Sequence, residues 1–123
     1  MNYDVFDFGK RRAAVRQREA QLAEAQENVE RLKQAVAVEI EQRANKVEQT
    51  RKMLEVASEV VRLRTESERV AENQLKEGIV LVSQRRQAAA ANYKAQADLL
   101  QAHLTYMLAQ AELQQTLGRT PGE

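Results

Sequence analysis

The sequence contains no cysteine, no tryptophan and a single proline, Pro121. Without cysteine there is no disulfide and no thiolate metal site, and the redox compartment stays open. Aromatics make up 4% of the 123 residues and charged residues 30%. That balance suits long helices or coiled coils and excludes a compact mixed core; the length allows one domain. The formal net charge of +1 gives no electrostatic case for a nucleic-acid partner. No apolar run approaches the ~20 residues of a membrane-spanning helix. The N-terminus carries Asp4 and Asp7 and lacks a basic start followed by an apolar stretch, so it is no signal peptide; export then requires a signal upstream of Met1.

Glycine is also scarce, and its placement organises the chain. From Lys10 to Glu77 there is neither Gly nor Pro, and after Gly78 a second such run extends from Ile79 to Leu117. At ~1.5 Å rise per residue these are helices of about 100 Å and about 58 Å. Folded back at Gly78, the second reaches only to the level of residues 38–40. The stretch from Lys10 to about Val36 is left without a partner in the chain.

The expected order is a strand and junction over 1–9, a long helix over 10–77, a tip turn over 78–83, a return helix over 84–117 and a tail over 118–123. Tyr3, Val5, Phe6 and Phe8 favour strand, and a lone strand needs a neighbour from elsewhere. The long helix repeats every seven residues at Val15, Leu22, Val29 and Val36, with Ala25 and Leu32 at the second seam position. The frame then slips by four, and Ile40, Val47, Leu54 and Val61 continue. Such a stutter locally unwinds a supercoil, as suits a wall helix packed on two sides; packing on one partner is the alternative. In the return helix Tyr93, Ala97, Leu100, Leu104, Met107 and Ala111 form an apolar stripe, widened by Leu99, Leu108, Leu113 and Leu117. Gly118, Pro121 and Gly122 stop it.

At the tip, Gly78 is suited to the left-handed helix end and Ser83 to capping the return helix. Between them lie Ile79, Val80, Leu81 and Val82. Apolar residues at the end of a long hairpin suggest a docking surface, although Leu75 and Val82 packing on each other would also close the turn.

The chain resembles the carboxy-terminal half of a TolC-family outer-membrane efflux protein. Val5-Phe6-Asp7-Phe8-Gly9-Lys10-Arg11 is similar to the junction where a barrel strand becomes a periplasmic helix. Tyr106-Met107-Leu108, followed by Leu117-Gly118, is similar to the family's closing pattern. The order and spacing of these motifs around the long helix and Gly78 carry the match over nearly the whole sequence. The resemblance implies an all-α hairpin with a short N-terminal strand remnant, part of a homotrimeric α-barrel and β-barrel channel in the outer membrane and periplasm of a Gram-negative bacterium. It implies a wall segment of a tripartite efflux or type I secretion conduit, met at its tip by a periplasmic adaptor and linked through it to an inner-membrane pump. On that reading Leu75, Glu77, Gly78, Ile79, Val80, Leu81, Val82 and Ser83 face the adaptor. Lys10, Arg11 and Arg12 form a turn at the membrane boundary, near phosphate headgroups. Where close relatives have acidic residues that narrow a cation-selective pore, this chain has Gln84 and Gln87, with Arg85 and Arg86 between them. A constriction built from Gln84, Arg85 or Gln87 is expected not to select cations.

No catalytic site, cofactor site or metal site is expected. Asp7-Phe8-Gly9 spells a kinase magnesium motif without the glycine-rich loop, lysine strand or catalytic loop. His103 is the only histidine, so no paired-His site exists within the chain. Ser58, Ser67 and Ser83 have no adjacent base. Carboxylates such as Glu55, Glu59 and Glu66 alternate with Arg62 and Arg69, as on a solvated helix face. Two other functions compete. A periplasmic adaptor hairpin should have nearly equal arms between β-rich domains, and a coiled-coil scaffold should show one narrow seam.

Overall fold

A computed structural model describes residues 2–119, with side chains from Asp7 onward. Two helices make up the described residues: α1 over Asn2–Lys76 and α2 over Val82–Gly118. The chain divides into two compact units, Met1–Glu39 and Ile40–Glu123. The division falls where the heptad frame slips from Val36 to Ile40.

The first unit is a single run of α1, and near its end Val36 and Glu39 are half-buried. Every described side chain from Asp7 to Ala35 is exposed, including Val15, Leu22, Val29 and Leu32. The strand expected before Gly9 is not there; Asn2–Phe8 is helical and Gly9 lies inside α1. The physical reason is hydrogen bonding. A strand leaves its N–H and C=O groups to a neighbour, and the described residues offer none, whereas a helix satisfies them internally.

The second unit is an antiparallel hairpin of α1 from Ile40 with α2. On α1, Ile40, Val47, Leu54 and Val61 are half-buried, as the repeat predicts. Thr50 and Ala57 alternate with them and Leu75 closes the seam near the tip. The facing seam of α2 is not the predicted stripe. It runs through Ala88, Asn92, Ala95, Leu99, Ala102, Tyr106, Ala109, Leu113 and Thr116, at alternating steps of three and four. Tyr93, Leu100, Leu104 and Met107 point away from α1, with Tyr93 70% exposed. Ala97 and Ala111 are exposed with them. The reason is that small residues let the two backbones approach, and Asn92 in this seam finds Glu68 and Thr65 across it on α1. The fully buried apolar residues among those described are therefore only Ala95 and Ala109; Thr50, Asn92 and Thr116 are buried beside them.

The reach of α2 matches the unequal arms. Glu112, near its end, accepts hydrogen bonds from Arg43 at 2.8 Å and Lys46 at 3.0 Å. α2 stops at Gly118 with Arg119 as its cap, while Pro121 and Gly122 lie outside the described residues.

Candidate functional site

The tip is a five-residue break, 77–81, built by its own backbone. The N–H of Ile79 donates to the carbonyl of Gln74 at 2.8 Å, and that of Gly78 to Leu75 at 3.0 Å. This paired closure is the Schellman arrangement, which needs a left-handed residue after the helix end. Gly78 supplies it with φ of +74°. α2 then begins at Val82, so Ser83 is already helical and Leu81 is the cap residue. Ser83 does not cap because the turn closes two residues earlier. Leu81 has no side-chain acceptor, and Gln84 serves instead: its Oε1 accepts from the Leu81 N–H at 3.0 Å, while its own N–H donates to the Leu81 carbonyl at 3.0 Å. That exchange is half of a capping box, run backwards from the third helical residue.

The result is an apolar end. Ile79 is 65% exposed and Leu81 69%, with Val82 also exposed. Leu75 and Val80 are half-buried, and Glu77 and Ser83 are exposed.

The residues expected near a constriction separate in the structure. Gln84 is occupied in capping. Arg85 crosses the hairpin, and its Nε donates to Glu72 at 2.7 Å. That hydrogen bond and the guanidinium charge hold the Glu72 carboxyl below its usual range, and Arg85 is raised in return. Gln87 and Arg86 are exposed.

Farther along the seam lies a polar group that periodicity does not signal. The Asn92 amide nitrogen donates to Glu68 at 2.6 Å, and its oxygen accepts from Thr65 at 3.3 Å and from Gln96 at 3.4 Å. With Glu72–Arg85 above and Glu112 with Arg43 and Lys46 below, the hairpin carries three polar rungs. No buried side-chain donor or acceptor among the described residues lacks a partner.

A second apolar seam on α1 was also missed by the single-repeat reading. Met53, Val56, Val60, Leu63 and Val70 are exposed at steps of three, four, three and seven. At ~3.5 residues per turn it lies about 100° around α1 from the hairpin seam, and the Tyr93–Met107 stripe lies about 150° around α2 from its own. The signal was present as a further set of apolar positions in the same heptads.

In the first unit Lys10, Arg11 and Arg12 are exposed, and the Arg12 guanidinium sits 5.7 Å from the centre of the Phe8 ring. Since α1 begins at Asn2, these residues lie in its third turn, beyond the reach of the dipole that would oppose them at a helix start. No group of acidic, His or Cys side chains among the described residues could hold a metal ion, and no described helix is long and apolar enough to cross a membrane.

A family model described as outer membrane efflux protein matches residues 1–119. No curated protein and no solved structure matches the chain.

Proposed function

The chain belongs to the outer membrane efflux protein family, and on that premise we propose that it is a wall segment of a homotrimeric export channel, carrying substrates from an inner-membrane pump across the periplasm to the outside. Membership supports an outer-membrane channel component and not an enzyme. The observation that carries the finer reading is the second apolar seam on both hairpin helices. A hairpin surrounded by water needs one seam on each helix. Here Met53, Val60 and Leu63 on α1, and Leu100, Leu104 and Met107 on α2, leave large apolar surfaces exposed outside it. Helices with two seams each need neighbours on both sides, and a closed ring supplies them to all. A lone coiled-coil scaffold would have only the inner seam.

On this reading the exposed Asp7–Ala35 helix is covered by other parts of the assembled subunits. The tip, from Leu75 to Ser83, meets a periplasmic adaptor through Ile79, Leu81 and Val82. Lys10, Arg11 and Arg12 lie at the boundary of the outer membrane of a Gram-negative cell.

The test places charge on the outer seams in the full-length protein in its membrane. Leu100→Glu with Leu104→Glu, and separately Val60→Glu with Leu63→Glu, are expected to abolish trimer formation by cross-linking and to abolish export. The helicity of the 123-residue chain should not change, because these side chains are solvent-exposed in it. Variants that assemble and export like the parent protein would refute the reading.

A further inference from the structure

We infer that one long side of the hairpin lines the lumen of the channel, and that the opposite, ion-paired side faces the periplasm. The luminal side is the one that carries a groove between Thr50, Met53, Asp98, Gln101, Ala102 and Thr105. This deepens the channel reading above and rests on it. The groove runs between the helices, with buried Thr50 and half-buried Ala102 at its floor. Because both helices contribute to it, it marks one common side of the pair.

The outer seams fix which way a wall of such hairpins curves. On α1 the outer seam lies about 100° from the inner one, and the short way between them crosses the groove side. Met53 shows this, since it belongs both to the groove and to the outer seam. A straight wall needs neighbours on opposite sides of a helix, so α1 turns the wall by about 80° toward the groove. On α2 the seams are about 150° apart, and the short way between them crosses the other side, through Gln96, His103 and Gln110. That turns the wall back by only about 30°. The net turn of about 50° per hairpin is toward the groove, and a ring closes with the groove side inside.

The chemistry of the two sides agrees. The side of α1 away from the groove is a ladder of ion pairs within the helix: Arg51 with Glu48 and Glu55, Arg62 with Glu59, and Arg69 with Glu66. Long charged side chains spread freely on a convex surface and crowd one another on a concave one. The groove side carries shorter groups, and heptad steps from the groove residues reach Ser67 on α1 and Ala91 on α2. Its charges include the pairs Lys94–Asp98 at 2.9 Å and Lys46–Glu112 at 3.0 Å, together with Arg64. A solute moving along this lining meets hydroxyls and amides, with little fixed charge of one sign.

The experiment uses purified trimers of the full-length protein with single cysteines in a background free of others. Gln101→Cys and Asp98→Cys report the groove side, and Ser58→Cys and His103→Cys report the opposite side; all of these positions are exposed in the hairpin. Two positions on each side guard against a variant that does not assemble. Biotin maleimide, a small reagent, should modify every one of them in the folded trimer. Streptavidin, a bulky folded protein, should then shift the Ser58→Cys and His103→Cys trimers on a native gel and leave the groove-side trimers unshifted. After denaturation it should bind all of them. Streptavidin that takes the groove-side biotins as readily as the others, or takes those alone, would overturn the inference. Groove-side cysteines closed to biotin maleimide in the trimer would overturn it as well. Either result, with outer-seam variants that still fail to assemble, removes this inference and leaves the channel reading. Outer-seam variants that assemble and export like the parent remove the channel reading and this inference with it.

Discussion

Asn92 places a neutral amide in the middle of a helix seam, where a carboxylate, a hydroxyl and a second amide converge on it. Its neighbours on α2, Ala88 and Ala95, can slide along α1 without a specific partner; the amide cannot. We expect Asn92→Ala to lower stability by about 1–3 kcal/mol, since Glu68 loses its donor in a half-buried place. Asn92→Leu should lose less, because an apolar side chain fills the seam, but should let the register drift. Chemical denaturation checks the first effect. Cross-linking of cysteine pairs across the seam checks the second, in a chain with no native cysteine to interfere. A single trapped register in Asn92→Leu would show that Asn92 does not set it. Gly78 is different in kind: its role was legible, because a glycine between two unbroken helical runs has few other uses, and its φ of +74° meets the need.

At the scale of the helix pair, the polar rungs give the hairpin a pH dependence. Hydrogen bonding from Arg85 holds Glu72 below its ordinary value of 4.5, and hydrogen bonding from Lys46 does the same for Glu112. A carboxyl whose folded value is depressed stabilises the fold above its unfolded value, and that contribution is lost as pH falls through the folded value. Helicity followed by circular dichroism should therefore be level from neutral pH down to about 4.5 and fall below it. The double variant Glu72→Gln, Glu112→Gln should show a shallower fall. Both carboxylates are solvent-accessible, so the effect is modest and salt-sensitive. The same element shows where periodicity misleads. The seven-residue repeat at Ile40, Val47, Leu54 and Val61 named the buried side of α1, because one seam there carries the branched residues. On α2 the most apolar stripe, Tyr93 to Met107, faces out and an alanine-rich one faces in. Hydropathy ranks stripes by transfer from water; it does not say which stripe meets the near partner and which awaits a far one.

For the whole molecule, the channel reading proposed above makes the charge of the pore at this turn depend on how the tip uses its polar groups. Gln84 caps Leu81 and Arg85 pairs with Glu72, and Arg86 and Gln87 are exposed beside them. No carboxylate stands among them. The assembled channel is expected to show no cation preference arising at this turn. Single-channel reversal potentials under a salt gradient should lie near zero or lean to anions, and Arg86→Glu should move them toward cations. A strong cation preference that is lost on substitution at 84–87 would refute this.

What the sequence alone determined was the helical hairpin, its break at Gly78, its unequal arms and the family. Those rest on local chemistry, on long runs without Gly or Pro and on motifs in order. Tertiary structure decided the rest. It turned the Tyr93 stripe outward, put Asn92 and Glu112 into the seam, moved the cap from Ser83 to Leu81 and made a helix of Asn2–Phe8. The cap moved because the turn closes locally two residues early; in the other cases the decision belonged to a partner across space, present or lacking, which a one-dimensional pattern does not contain.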